Sequence, residues 1–108
     1  MTTVEYVFFL SKFQKDRLRV KVYKEKNRIF EFVVQYEAEI LEIWHAIVRY
    51  DTRHGFAHRD YLHADGSVEK EPLLWEDYNL ALIYATQDLK DNWQKYRHKF
   101  EEEIHESR

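Results

Sequence analysis

No cysteine occurs in this chain, and its 108 residues include only two glycines and one proline. The missing cysteine excludes disulfides, thiolate-ligated zinc and thiol catalysis. Scarce glycine and proline, together with 44% hydrophobic and 17% aromatic residues, point to a folded chain and not a disordered one. No apolar run approaches the ~20 residues that cross a bilayer as a helix. The opening MTTVEYVFFLSKF lacks a basic segment, and its apolar run is too short for a signal peptide, so a cytoplasmic location is expected. Also missing are a phosphate-cradling glycine loop, G-x-S-x-G and any paired nucleophile motif. The length suits one domain over residues 1–108.

Charge is unevenly spread. Up to residue 63, eleven Lys and Arg stand against nine Asp and Glu; from residue 64 onward, six stand against eleven. Lys12–Arg28 alone holds eight basic and two acidic residues. Such a patch can draw phosphate on an acidic protein, because ~8 Å of screening hides the distant acidic half. A solvated, lysine-rich hairpin gives the same pattern.

Val4, Tyr6, Phe8 and Leu10 alternate with other residues, as do Leu18, Val20 and Val22, then Phe30, Phe32, Val34 and Tyr36. Period two is the mark of strands. Residues 33–50 fit a strand or a helix stripe; the β-branched and aromatic content of Ile43–Tyr50 favours two antiparallel strands reversing near Glu39–Glu42. Later, Leu82, Ala85, Leu89, Trp93, Tyr96, Phe100 and Ile104 recur at helical spacing, predicting an amphipathic helix over about 76–106. The expected fold is α+β: an antiparallel sheet of about four strands within residues 4–50, a His/Arg-rich loop at 51–67, and one long C-terminal helix packed on one face. If Trp44, Val48 and Tyr50 face that helix, His45 and Arg49 face away. Arg19, Lys21 and Tyr23 would share their surface.

The densest chemistry lies in Arg49–Gly66, RYDTRHGFAHRDYLHADG, which holds three histidines, three arginines, three aspartates and both glycines. Imidazoles that titrate near neutral pH beside guanidinium forks suit phosphate recognition and acid–base work. Arg49, His54, His58 and Arg59 are the candidate catalytic residues. Arg19, Lys21, His45, Arg53 and His63 are candidates for substrate binding, with Tyr23, Tyr50 and Tyr61 as stacking surfaces for bases. Asp51 and Asp60 read as groups that orient Arg or His, and Asp65-Gly66 as a turn. A metal held by His54, His58 and His63 is the competing chemistry, although Arg53 and Arg59 beside them would repel a cation. A polar surface loop with satisfied hydrogen bonds is the plain alternative.

The residues Val48, Arg49, Tyr50 and Asp51, followed by Gly55, His58 and Arg59, resemble small prokaryotic toxins of the TumE kind. In those, a strand ending V-R-Y-D-N leads through a glycine to a His/Arg-rich stretch and a C-terminal helix. Thr52 stands where they carry asparagine. His54 to Gly66 is also similar to short proteins with an H-G-x-x-H-R-D-x-x-H-x-D-G pattern. The resemblance implies a toxin–antitoxin module acting on RNA or the ribosome in the manner of RelE-like ribonucleases. With the histidines and arginines, it leads to the expectation of a metal-independent acid–base ribonuclease, without cofactor, neutralised by an antitoxin protein. Two further readings stand beside it: a non-enzymatic interaction module forming a homodimer or partner complex, and the histidine metal-binding protein.

Overall fold

Six strands follow one another in sheet order, each antiparallel to the last, in the computed structural model, which describes residues 1–106. They are β1 (Thr2–Phe9), β2 (Asp16–Glu25), β3 (Arg28–Ile40), β4 (Ile43–Asp51), β5 (His58–Leu62) and β6 (Val68–Pro72). A single helix, α1 (Tyr78–Glu106), then lies across one face of the sheet. The α+β class and the C-terminal helix agree with the sequence expectation, but the sheet has six strands and not about four. Both extra strands come from residues beyond position 50. The segment expected as a loop over 51–67 contains β5, and β6 starts just after it. These strands read HRDYL and VEKEP, and neither carries an apolar alternation. Charges and a terminal proline along β6 suit an exposed sheet edge.

Residues 33–50 form two strands, as the β-branched content predicts, and the reversal is a two-residue turn at Leu41-Glu42. Both residues have positive φ, 53° and 66°. That is the backbone of a tight hairpin turn whose twist matches the strands, made here without glycine or asparagine. At the β5–β6 reversal, Gly66 takes φ +90° and Asp65 Oδ1 accepts the Ser67 amide at 2.8 Å. The Asp-Gly turn was legible from its chemistry.

One irregularity decides which side chains share a face. Tyr36 pairs with Val48 and Glu37 with Ala46, so Ile47 is an extra residue in β4. This bulge shifts the alternation by one. Val48 and Tyr50 face the helix as expected. Below the bulge the sides swap: His45 packs on Phe100 of α1 with ring centroids 5.2 Å apart, while Trp44 lies on the open face under the Arg17 guanidinium at 3.8 Å. The expectation for Trp44 and His45 was therefore inverted, because strict period two fails across a bulge.

The core lies between sheet and helix. Leu18, Val20, Phe32, Val34, Tyr36, Val48 and Tyr50 meet Ala81, Ala85, Leu89 and Phe100, all buried. Each large apolar side chain buried here contributes about 1.5–3 kcal/mol. Small Ala81 and Ala85 let the first turns of α1 approach the sheet closely, and Trp93 tilts over Tyr36 at 6.4 Å. Asp77 caps the helix by accepting the Asn79 amide at 2.9 Å. Asn79 in turn ties the helix start to the β2–β3 hairpin by donating to the Asn27 carbonyl at 2.8 Å. Among the described residues no helix is long and apolar enough to cross a membrane.

Candidate functional site

With α1 covering one face, the other face of the sheet is open, and its polar groups concentrate on the side chains of β2 to β5. Register sets the pattern. Asp51 on β4 sits directly opposite His58 on β5, and Arg49 sits opposite Asp60. Because residues i and i+2 of a strand share a face, His58 and Asp60 emerge side by side with Asp51 and Arg49 across from them.

Asp51, His58 and Asp60 are all buried, at 5%, 2% and 3% exposure. His58 Nε2 is 2.9 Å from Asp51 Oδ1 and 3.6 Å from Asp60 Oδ1. Close as these oxygens are, Nε2 has no hydrogen-bond partner of good geometry. Its other ring nitrogen, Nδ1, is 3.4 Å from the Phe56 carbonyl. Asp51 Oδ1 is held from behind by the Arg53 amide at 3.0 Å. Asp60 meets the Lys70 ammonium at 3.3 Å, at the end of a side chain 59% exposed. Two buried carboxylates converging on one imidazole are costly for a fold to maintain, and such costs cluster at functional sites.

Beside this trio, Lys21, Tyr23, Val33, Asp51, Thr52 and Arg53 line a cleft of about 280 Å³. Arg53 is exposed there, at the start of the short 3₁₀ turn Arg53–Gly55. That turn carries positive φ at both His54 (74°) and Gly55 (86°), a reversal that glycine permits and histidine tolerates only with strain. Farther along the same face, Glu37 takes the Arg17 guanidinium at 2.7 Å, the Arg19 guanidinium at 3.3 Å and the Gln35 amide at 2.6 Å. Burial pushes the Glu37 carboxyl up, but these donors outweigh it and hold its pKa below the ordinary value. Arg49 Nε donates to Gln35 at 2.8 Å, extending the network towards Asp60. Much of the basic charge legible in β2 is thus spent within the sheet surface.

The residues expected to form one catalytic centre do not all meet. Arg49 and His58 share the open face, and His54 stacks beside His58 with ring centroids 6.4 Å apart. Arg59 faces the helix. It donates to Tyr50 Oη at 3.0 Å and to Glu71 at 2.6 Å, in a cluster where Asp88 accepts from Tyr50 at 2.5 Å and from Tyr96 at 2.8 Å. Burial, followed by the Asp88 hydrogen bond, pushes the Tyr50 phenol well above its ordinary pKa, so it stays a neutral donor. Among the binding candidates, Arg19, Lys21 and Arg53 lie on the open face. His45 packs against Phe100 instead, and His63 pairs with Glu69 at 2.9 Å and Glu103 at 2.7 Å near the end of α1. His54, His58 and His63 therefore do not converge on a metal. Tyr50 is wholly buried and offers no stacking surface, Tyr61 packs against Tyr96 on the helix side, and Tyr23 alone of the three lines the cleft.

A family model for DUF7718, a domain of unknown function, matches residues 1–106. The chain belongs to this family. No curated protein and no solved structure matches it. Within the site, the group of described residues placed to hold a metal is Asp51, His58 and Asp60, whose ligand atoms lie within 4.8 Å of one another. Asp51 and Asp60, expected to orient Arg or His, both lie against His58. Seeing H-R-D as strand would have set His58 and Asp60 on one face, and the Tyr50-Asp51 strand end would have supplied the third group.

Proposed function

We propose that this protein acts on RNA through the open face of its sheet, as the toxin-like component of a toxin–antitoxin module in the cytoplasm. One observation carries the reading: Asp51, of the buried trio Asp51, His58 and Asp60, lines a cleft that bears Lys21 and Arg53 against a single Glu31, and Arg49 pairs with Asp60 across the strands. The cations suit a phosphodiester, Tyr23 offers an aromatic edge to a base, and the trio supplies the reactive centre. The resemblance to TumE-like toxins in Val48–Asp51, Gly55 and His58 supports the same substrate. Arg59 drops out, since it faces the helix. A metal-free mechanism needs a base within reach of the ribose 2′-hydroxyl, and of the two stacked imidazoles His58 is 2% exposed while His54 is open to solvent.

The test is cleavage of RNA by the purified protein, with and without ribosomes, alongside growth on expression. Arg49→Ala and Arg53→Ala are expected to weaken the activity with the fold intact, by ~10-fold or more if they neutralise phosphate charge in the transition state. Absence of both RNA cleavage and growth inhibition with the wild-type chain would refute the reading.

A second reading, an interaction module without chemistry, is favoured by a separate feature. Trp75, Leu80, Ile83 and Tyr84 are exposed side by side where the chain enters α1. An apolar strip of this kind on a small domain marks a protein contact. Self-association lost in Ile83→Glu, in a chain inert towards RNA, would support a homodimer in place of the enzyme.

A further inference from the structure

We infer that Asp51, His58 and Asp60 bind a divalent cation of the Mn²⁺ or Zn²⁺ class. Any use of that cation on a phosphodiester rests on the RNA reading, but the binding site itself does not.

Three independent features point the same way. The first is geometry. Ligands about 2.1 Å from a cation stand roughly 3 to 3.5 Å from their neighbours. The Nε2 distances to the two aspartates, 2.9 and 3.6 Å, each lie within about 0.1 Å of that range. The donors come from adjacent, paired positions on β4 and β5, so the backbone holds them in place. The second is the unpartnered nitrogen. His58 Nε2 is buried, faces both carboxylates and makes no aligned hydrogen bond. Its Nδ1, turned to the Phe56 carbonyl, is placed to keep the ring proton, which leaves the Nε2 lone pair free for a metal. The third is charge. Two buried carboxylates face one imidazole, and the nearest compensating cation is Lys70, on an exposed arm that can swing away. A dication in the trio would neutralise both carboxylates at once.

The ligand set narrows the ion. Two carboxylates and one imidazole suit Mn²⁺ or Zn²⁺, whereas Mg²⁺ and Ca²⁺ prefer all-oxygen sites. Three protein donors leave coordination positions for water or a phosphate oxygen, as a catalytic site requires.

The experiment titrates EDTA-treated, dialysed full-length protein with Mn²⁺, read by the loss of the free-ion EPR signal, and with Zn²⁺ by calorimetry. The expected result is one ion per chain, with affinity falling ~10-fold or more in Asp60→Asn and His58→Gln. Lys70→Gln removes an exposed side chain that competes for Asp60, so it should bind the ion more tightly. That gain is readable even if a ligand variant folds poorly. His63→Gln should change nothing. Absence of saturable binding at millimolar ion would overturn the inference, as would binding lost in His63→Gln but kept in Asp60→Asn. RNA cleavage in EDTA by a chain that binds no ion would remove the cation and leave the RNA reading. Ion binding by a chain inert towards RNA would do the reverse.

Discussion

Replacing Arg59 with alanine is expected to cost stability and leave the open face of the sheet unchanged. The side chain is 13% exposed and reaches into the space between β5, β6 and α1. Its hydrogen bond to Tyr50 Oη, at 3.0 Å, comes from a charged donor to a wholly buried hydroxyl, worth about 1.5–3 kcal/mol. Tyr50 still donates to Asp88 when Arg59 is gone, so no hydroxyl is orphaned outright, and the lower half of that range applies. The bond to Glu71 adds about 0–1 kcal/mol, since that carboxylate is half-exposed and regains water. Asp88 also loses a cation 3.7 Å away, and the Tyr61 ring loses the guanidinium 5.0 Å from its centre. The total is about 2–3 kcal/mol, a fall of roughly 1–2 M in the urea midpoint for a chain of this size.

Urea unfolding followed by tryptophan fluorescence measures it, and a cycle with Tyr50→Phe isolates the shared bond. The double variant should fall short of the summed single losses by about 1 kcal/mol. A loss below about 0.5 kcal/mol would put Arg59 among ordinary surface residues and refute the buried-cluster argument. Loss of RNA activity at undiminished stability would return Arg59 to the reactive centre.

Two further outcomes follow from the geometry. Leu41→Asn with Glu42→Gly places turn-forming residues at two positive-φ positions and removes an exposed leucine, so unfolding by heat or urea should show a gain of about 1–2 kcal/mol. Hydrogen bonds to Glu103 and then Glu69 raise the His63 pKa above its ordinary value. Its contribution should therefore be complete below about pH 6.5 and fade as pH rises through the folded value, so His63→Gln should lower the melting temperature more at pH 6 than at pH 9.

The parts of the fold legible from sequence are those in which one periodicity holds without interruption. Leu82 to Ile104 repeats at helical spacing because a single stripe meets the sheet, and Leu18 to Val22 alternates because its other face is polar. Strands β5 and β6 have too little buried apolar surface to leave a period in the sequence. His58 and Asp60 are buried on β5, but they are polar and read as loop chemistry. The swapped sides of Trp44 and His45 come from one extra residue in β4. Nothing in IWHAIVRY marks Ile47 as the bulge, since Ile47, Val48 and Ala46 all fit either side of a sheet.

The site was legible as a concentration of ionisable groups and illegible as a constellation, for the same reason. Six candidate side chains within Arg49–His63 lie close in sequence, yet alternation on β4 and β5 sends Arg49 and His58 to the open face and Arg59 to the helix side. His63 follows the chain out to Glu69 and Glu103. The sequence expectation put the three histidines in one loop, where neighbours in sequence gather freely. In a hairpin the partners are instead set by register. Asp51, seven residues before His58, becomes its nearest carboxylate, while adjacent Arg59 lies on the other side of the sheet. The residue types were sufficient to suggest phosphate or metal chemistry. Which of them lie together is set by the pairing of β4 with β5, and that pairing brings two aspartates and one histidine side by side where β4 ends and β5 begins.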